Sequence, residues 1–546
     1  MKLQRVVTII ALAIGTVSAV GEDYSAEVFV PGHSFHGIHG LTFDSEDRLY
    51  VGSVIGQSIY RVDPETGASE VWAGPPQGMA DDLEFSPDGA LVWTSFIVGK
   101  VHTRMGDGEI RELASGLPGI NSLAFKQDGR LFATQVFLGD ALYEIDPKGE
   151  KPARKIIENM GGLNGFDFGP DGYLYGPLWF KGQVVRVDVD SGELTVVADG
   201  FKVPAAANFD SKGNLYVLDS GRGHVVRVDV NTGEKTIVSE FKTAMDNLAF
   251  DSKDRLFLTI MAEDAIYEID TKTGAARTVK EGKLGLPAGL AIWNDGGRET
   301  LYVADTFATR AIDPSSGKIT DLARTVETEH EYAMSGIDVS AKYLHQTGFF
   351  GGTVQTLDRK SGEILMTYHG FVTPYDVLEL EDGSLLVAQM AAGNLVHVTG
   401  EDEADRAVLI DGLTTPVSMA KAVPGENVGP TSGAIYVVEY AKGEVVRIDL
   451  GTGQRQTVAR GLDRPEGIAV AGDGTVFVAE TGTQSVVRLG PEVDDKTVVA
   501  SGIPMGLPVA PGLPPAGILT GLAITSGGDI FVSSDLEDAL YRIRQK

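Results

Sequence analysis

The sequence predicts an all-β fold of tandem β-propellers, arranged as two six-bladed rings of four-stranded antiparallel blades. Three observations predict it. A unit of short apolar strands recurs every 40 to 54 residues, Gly- and Asp-rich turns separate the strands, and no segment keeps the apolar period of a helix. Repeats of roughly 40–50 residues with four strands each are typical of propeller blades.

Each repeat unit is anchored on the first large apolar residue of its first strand. Two distant copies, Gly40–Ser53 and Gly467–Glu480, show the same pair of apolar strands around a polar turn. A third strand, a Thr-Gly or Ser-Gly turn and a more polar fourth strand complete the unit. The twelve anchors are Leu41, Leu83, Leu123, Phe166, Ala207, Leu248, Leu290, Ile337, Val377, Met419, Ile468 and Leu522.

Twelve units exceed the usual content of one ring, so we expect two rings of six. The strand Ala26–Val30 has no unit before it, and the last unit lacks a fourth strand. We predict that Glu27–Val30 closes the sixth blade and that Ala276–Lys280 closes the twelfth, which leaves no raw sheet edge. The predicted division is a signal peptide over residues 1–19, a first propeller with the functional site over 20–275, and a second propeller over 276–546.

The N-terminus has the pattern of a secretory signal. Lys2 and Arg5 precede the apolar run Val6–Gly15, and Val17–Ala19 offers a small-residue cleavage site. We therefore expect a periplasmic or secreted protein with no stable membrane insertion after cleavage, and an uncleaved anchor is the alternative. The oligomeric state is left open.

Composition limits the possible partners. The chain of 546 residues has a formal net charge of −30 and no Cys. A surface this acidic repels nucleic acid and suits a neutral or cationic small molecule or a metal ion. A well-solvated exported surface explains the same charge without a ligand. The lack of Cys excludes disulfides and thiolate chemistry.

Two insertions lengthen the second half of the chain, Ala422–Gly433 and Gly502–Gly517. The second is rich in Pro and apolar residues, so it cannot join a β-ladder. A lid over the second ring and a packed surface loop are both open interpretations.

The candidate chemistry lies where the first strand of each blade enters the central channel, at the residue two before each anchor. In the first ring these mouth residues are His39, Asp81, Asn121, Asn164, Ala205 and Asp246, and in the second ring they are Ala288, Ser335, Tyr375, Val417, Glu466 and Thr520. Five of the first six can bind a metal, whereas only one of the second six is charged. The second strand returns to the same mouth and ends at Ser53, Ser95, Gln135, Leu178 and Asp219, matched in the second ring by Glu439 and Glu480.

Carboxylates that face carboxamides across a narrow channel predict a divalent cation, with calcium favoured by the all-oxygen donor set. The predicted ligands are Asp81, Asn121, Asn164 and Asp246. Zinc fits less well, because the site offers one His and no Cys. Asp and Asn also begin strands by accepting backbone N–H groups, which is the competing explanation for each residue taken alone.

His39 is a candidate general base, since the unperturbed pKa of His lies near 6.5. Its competing interpretation is a solvated His-rich loop, because His33 and His36 lie close in sequence.

These residues resemble the calcium-dependent six-bladed propellers of the gluconolactonase (SMP-30-like), regucalcin and paraoxonase superfamily, and the blade repeat resembles NHL-type and virginiamycin B lyase propellers. Leu163-Asn164-Gly165, Ile120-Asn121-Ser122 and Met245-Asp246-Asn247 are similar to metal-binding segments of the superfamily, and Ile38-His39-Gly40 is similar to a paraoxonase His-Gly segment. The resemblance implies that Asp246 binds the catalytic calcium and also serves as acid–base, and that His39 activates water. The Glu ligand that the superfamily carries near the start of the propeller is missing here. We assign Asp81 in its place from its position in the repeat, since Asp81-Asp82 matches no motif of the superfamily.

The function predicted from these features is an exported, calcium-dependent hydrolase of a small lactone or ester, with Asp246 and His39 as its catalytic residues. A cation at the first mouth would polarise the carbonyl. A lyase or isomerase that uses the same cation, of the virginiamycin B lyase type, and a non-catalytic binding or scaffold propeller are the alternatives.

Overall fold

The computed structural model describes residues 23–328, 334–423, 433–509 and 517–546, and in these ranges the protein is built from twelve four-stranded antiparallel sheets. The predicted all-β propeller class is confirmed. Three single-turn 3₁₀ segments, Met261–Glu263, Glu403–Asp405 and Tyr440–Lys442, interrupt the strands. None of the helical segments in these ranges is long and apolar enough to cross a membrane. The predicted signal peptide, residues 424–432 of the first insertion and residues 510–516 of the second lie outside the described residues. In the described part of the second insertion, Ile503 and Met505 are buried in the apolar core of the twelfth blade, as expected for a packed loop.

In the described part of the chain, β1 (Tyr24–Val30) comes first and is followed by six sheets that we call the first ring. Their strands, in chain order, are β2 (Ile38–Phe43), β3 (Leu49–Ser53), β4 (Ser58–Val62) and β5 (Ser69–Ala73); β6 (Leu83–Phe85), β7 (Leu91–Ser95), β8 (Lys100–Arg104) and β9 (Arg111–Ala114); β10 (Ile120–Phe125), β11 (Leu131–Gln135), β12 (Ala141–Ile145) and β13 (Arg154–Glu158); β14 (Asp167–Phe168), β15 (Leu174–Leu178), β16 (Gln183–Val187) and β17 (Leu194–Ala198); β18 (Pro204–Phe209), β19 (Leu215–Asp219), β20 (His224–Val228) and β21 (Lys235–Glu240); β22 (Met245–Phe250), β23 (Leu256–Ile260), β24 (Ala265–Ile269) and β25 (Ala276–Lys280).

The remaining strands, completed by β1, form the second ring. They are β26 (Pro287–Asp295), β27 (Arg298–Asp305), β28 (Ala308–Ile312) and β29 (Ile319–Arg324); β30 (Met334–Val339), β31 (Tyr343–Gly348), β32 (Thr353–Asp358) and β33 (Ile364–Tyr368); β34 (Pro374–Glu379), β35 (Leu385–Gln389), β36 (Asn394–Val398) and β37 (Arg406–Ile410); β38 (Pro416–Lys421), β39 (Ala434–Glu439), β40 (Glu444–Asp449) and β41 (Arg455–Ala459); β42 (Pro465–Val470), β43 (Val476–Glu480), β44 (Ser485–Leu489) and β45 (Lys496–Ser501); β46 (Leu522–Ile524), β47 (Ile530–Ser534) and β48 (Ala539–Gln545).

Contacts between innermost strands join the sheets into two cycles. In the first ring β2 packs against β6 on one side and against β22 of the last sheet on the other, and in the second ring β26 packs against β30 and β46. A central cavity of about 270 Å³ in the second ring is lined by all six of its innermost strands. The second strand of most blades is buried along its whole length, because it lies between the channel strand and the outer strands.

The predicted exchange of closing strands is wrong. β1 pairs antiparallel with β48, from Tyr24 opposite Gln545 to Val30 opposite Leu540, so it completes the twelfth blade. β25 pairs with β24 in its own sheet, which means that the predicted boundary at 275–276 falls inside the sixth blade. The physical reason is local. The turn after β24 is held by the Asp270 carboxylate, which accepts the N–H groups of Lys272 and Thr273, and a hairpin closed this way needs no distant partner.

Candidate metal centre at the mouth of the first ring

The mouth residues owe their orientation to β-bulges. In β2, Ile38 pairs with Ser53 and Leu41 with Val51, so His39 and Gly40 together face one residue of β3. The same extra residue occurs where β10 carries Asn121 and where β22 carries Asp246. A bulge re-aims a side chain, which is why bulges are frequent beside functional sites. The bulge recurs in the second ring, so it belongs to the scaffold and leaves the residue type free.

Threonines of the second strands donate hydrogen bonds to the mouth residues of neighbouring blades. The Thr94 hydroxyl donates to the carbonyl oxygen of Asn121 in the next blade. The Thr259 hydroxyl donates in the same way to the carbonyl oxygen of His39, at 2.6 Å, although Thr259 lies in the sixth blade and His39 in the first. The hydrogen bond that links consecutive blades therefore also links the last blade to the first, and it brings the two ends of the ring's sequence to one mouth.

Three of the predicted site residues converge. Ligating atoms of His39, Asp81 and Asp246 all lie within 4.8 Å of one another, and this is the one such His/Asp/Glu group in the described part of the chain. His39 Nδ1 lies 3.5 Å from Asp246 Oδ2. The Asp81 residue is buried, while the side chains of His39 and Asp246 are 13% and 17% exposed, so the cluster is accessible from one side.

The two predicted asparagines form a second group. The Ser122 hydroxyl bridges them, at 2.8 Å from Asn121 Oδ1 and 3.0 Å from Asn164 Oδ1. Asn164 Oδ1 also accepts the N–H of Gly165. Both asparagines are buried. The structure thus places Asn121 and Asn164 together, with their amide oxygens turned to a shared hydroxyl.

Asp82 connects the two groups. Its carboxylate accepts from the Asn247 amide at 2.9 Å and from the N–H of Leu123 at 3.1 Å, so it joins the residue after Asp246 to the strand that carries Asn121. It also accepts the N–H of Leu83. Burial raises the pKa of Asp82 to about 7, although these backbone N–H groups oppose the rise. Asp376 makes the equivalent bonds in the second ring, so this contact is a feature of the scaffold.

The electric field of the cluster favours a bound cation. Burial raises the pKa of Asp81 well above its usual range, the negative charges of Asp246 and Asp82 raise it further, and His39 opposes the rise. Burial alone would lower the pKa of His39, but the carboxylates of Asp246, Asp81 and Asp264 outweigh burial and raise it. Carboxylates gathered this way are costly unless positive charge compensates them.

The donor set fits a divalent cation. The ligating atoms of His39, Asp81 and Asp246 lie within 4.8 Å of one another, so an ion placed between them would be about 2.8 Å or less from each atom. This distance is near the 2.3–2.6 Å typical of calcium–oxygen bonds. Carboxylate and carboxamide oxygens suit calcium, and the His39 imidazole would be unusual among its ligands. His39 instead pairs with the Asp246 carboxylate, so it lies beside the oxygen donors of the cluster.

The second mouth is different. The Glu466 carboxylate accepts the N–H of Thr520 at 2.7 Å, and burial raises its pKa to about 8, so it is largely neutral near pH 7. The Tyr375 ring is fully buried and packs with Val417 and Leu519 in one apolar cluster. The predicted contrast between the two mouths therefore extends to their packing, because apolar side chains fill the second.

The carboxylates at the ends of the second strands do not belong to the site. The Asp219 carboxylate accepts the N–H groups of Lys202 and Val203, in the loop that leads into β18. Glu439 and Glu480 accept N–H groups of the corresponding loops before β38 and β42. These three carboxylates therefore bond to loop backbone and are not donors of the metal centre. They hold the loops between blades because an acceptor at the strand end lies opposite unpaired loop amides.

The interpretation of residues 33 to 36 as a solvated His-rich loop is also wrong. His36 is buried, and its Nδ1 lies 2.9 Å from Asp538 Oδ1. His33 Nδ1 lies 3.4 Å from Asp264 Oδ2. Asp264 and Asp538 occupy equivalent turns in the last blades of the two rings, so the segment between β1 and β2 lies between the rings.

The two rings meet through their mouth sides. Phe307, in the turn after β27, packs with Met261 and Ala262 of the first ring, and its ring centroid lies 6.1 Å from that of His39. Arg324 forms a buried ion pair with Glu263. One flank of the first mouth is therefore covered by the second ring.

Sequence reasoning did not assign roles to Ser122, Thr259 or Phe307. Ser122 and Thr259 lie at fixed offsets from the anchors, so the repeat register could have placed them. Phe307 carried no signal, because nothing local indicates that its turn meets the other ring.

Comparison with known proteins gives limited matches. A family model described as a repeat of unknown function (DUF6923) matches residues 97–247. No curated protein matches significantly. Similar solved structures include virginiamycin B lyase from Staphylococcus aureus, at 16% identity and a TM-score of 0.37, over 55% of this chain and 99% of that one. A gluconolactonase from Xanthomonas campestris is 17% identical with a TM-score of 0.36, over 46% of this chain and 96% of that one.

Proposed function

We propose that this protein is a calcium-dependent hydrolase of small lactones or esters, with its active site at the first mouth. The observation that carries the proposal is the convergence of His39, Asp81 and Asp246 from the first, second and sixth blades, which ring closure makes neighbours. No backbone packing requires these charged groups together, since the equivalent positions of the second ring carry Ala288, Glu466 and other residues within the same bulges.

Asp81 and Asp246 would hold the cation, and Asn121 and Asn164, whose amide oxygens meet at the Ser122 hydroxyl, are the candidates for further oxygen donors. When bound, the cation would polarise the substrate carbonyl and stabilise the oxyanion. Its positive charge would also let Asp81 ionise at neutral pH, which burial alone opposes.

His39 would transfer the proton. The oxygen of a water molecule bonds to the carbonyl carbon while His39 accepts a proton from that water. The acyl–oxygen bond then breaks, and His39 returns the proton to the departing alkoxide, so the net reaction consumes one water. Asp246 orients the imidazole and stabilises its charged form, in keeping with the 3.5 Å separation.

The test is turnover of a panel of lactones and esters by the purified mature protein, with calcium or with a chelator. We expect calcium-dependent hydrolysis that Asp246→Asn and His39→Gln each reduce at least about 100-fold, the usual contribution of general acid–base catalysis. Glu466→Gln, at the same offset within the repeat but in the second ring, is the matched control and should retain activity.

Oxygen-18 water separates the reaction classes. Hydrolysis places the label in the acid product, whereas a lyase forms an unsaturated product without label. Turnover that gives a product without oxygen-18 would overturn the hydrolase assignment. Calcium binding with no turnover of any panel member would favour a binding protein instead.

A further inference from the structure

Large apolar side chains form an exposed ridge on the first ring. The ridge consists of Phe96, Phe137, Leu138, Trp179 and Phe180, from the turns that follow β7, β11 and β15. Phe137 lies at its centre, with ring centroids 6.2 Å from Phe96, 5.4 Å from Trp179 and 5.8 Å from Phe180. Phe137 is 45% exposed, and Leu138 and Phe180 are each 60% exposed. Contiguous exposed apolar side chains of this size mark binding surfaces.

The ridge adjoins the asparagine side of the first mouth. Gly119, two residues before Asn121, donates its N–H to Phe96 and accepts from Val136. Gly162, two residues before Asn164, accepts the N–H of Trp179. A Cβ on Gly162 would lie 2.7 Å from the Phe180 ring, so that ring rests directly on the backbone that leads into the mouth.

The flank of this mouth beside the second ring is less open. The second ring covers the flank beside His39 through Phe307. A crevice between the rings, lined by Ile97 and Phe349 among others, has a volume of only about 30 Å³, which is enough for one water molecule. The ridge therefore offers exposed apolar surface to a ligand at the mouth, away from the flank that Phe307 covers.

We propose that the ridge binds an apolar substituent of the substrate, so that the site prefers lactones or esters with an alkyl or aryl group over polyhydroxylated ones. The proposal rests on the proposed function for the location of the reacting carbonyl. A sugar lactone would need hydrogen-bonding partners along its ring, and the five ridge side chains offer a single N–H, on Trp179. An alkyl chain laid on the ridge would instead remove apolar surface from water on both partners.

The experiment compares δ-decalactone, which carries a pentyl group, with unsubstituted δ-valerolactone and with glucono-δ-lactone. We expect the wild-type protein to favour δ-decalactone in kcat/KM by about tenfold or more, as even short apolar groups provide this discrimination. Phe137→Ser and Phe180→Ser together should remove most of that preference for δ-decalactone over δ-valerolactone. Ile237→Ser, at a residue 52% exposed on the outermost strand β21, is the matched control.

Binding of the matching lactams, measured by calorimetry, separates this proposal from the proposed function. If no lactone is hydrolysed, the hydrolase assignment fails. Tighter binding of the pentyl lactam than of the unsubstituted one, lost in the double variant, would still support the ridge. Equal binding of the pentyl lactam by wild type and double variant, or no binding at all, would overturn the ridge proposal. So would an unchanged preference for δ-decalactone in an active double variant.

Discussion

Two aspartates at the channel end of the first ring make a matched pair. Asp219 and Asp246 both carry carboxylates near the mouth, yet only Asp219 accepts backbone N–H groups, those of Lys202 and Val203. None of the described backbone amides donates to Asp246. Its Oδ2 instead lies 3.5 Å from His39 Nδ1. We predict that Asp219→Ala damages the fold, and that Asp246→Ala damages the site alone.

The size of each change in the free energy of unfolding follows from these contacts. Asp219→Ala leaves two loop amides without an acceptor, and each unsatisfied group costs about 1–3 kcal/mol, so the free energy of unfolding should fall by about 2–6 kcal/mol. The Arg222 partner is 44% exposed on its side chain and adds little. Asp246→Ala removes one partly exposed ion pair and relieves repulsion from Asp81, so it should change stability by less than about 1 kcal/mol.

The assay is urea unfolding followed by tryptophan fluorescence, in the presence of a chelator, together with calcium titration by calorimetry. Asp219→Ala should unfold at lower urea and still bind calcium when folded. Asp246→Ala should unfold near the wild-type midpoint and lose calcium binding. If Asp246→Ala loses as much stability as Asp219→Ala, the mouth carboxylate is structural and the assignment of the site fails.

Three further predictions concern the rest of the fold. Unfolded Glu ionises near pH 4.5 while folded Glu466 keeps its proton to about 8, so raising the pH through this window destabilises the wild type. Glu466→Gln keeps an acceptor for Thr520 and has no proton to lose. As the pH rises from 4.5 to about 8, its free energy of unfolding should therefore increase relative to that of the wild type by up to about 5 kcal/mol, as measured by urea unfolding in a pH series. Deletion of Tyr24–Val30 should expose the edge of β48 and cause aggregation on heating, as measured by light scattering, whereas an unchanged melting temperature would contradict the pairing of β1. Phe307→Ala should lower the free energy of unfolding by about 3–5 kcal/mol in urea unfolding, because it empties a buried contact between the rings; a loss below about 1 kcal/mol would show that this contact does not hold them.

Much of the candidate site could be predicted from the sequence, for a specific reason. A blade repeats every 40 residues or so, hence a fixed offset from each anchor marks the mouth, and His39 and Asp246 are found by counting. Counting could not separate Asp246 from Asp219, because both offsets lead to the same end of the channel. The difference lies in which backbone amides face each carboxylate, and loop conformation decides that.

The four-stranded unit, its twelvefold repetition and the polar character of one mouth could be predicted from the sequence, because strand period and turn residues are local properties of the chain. Which edges pair and which blades are neighbours became known from the folded structure. β1 lies beside β48 from the opposite end of the chain, and Asn247 reaches Asp82 across 165 residues. Such contacts depend on ring closure, which satisfies the last free sheet edge and the mouth polar groups together, and no local pattern specifies that geometry.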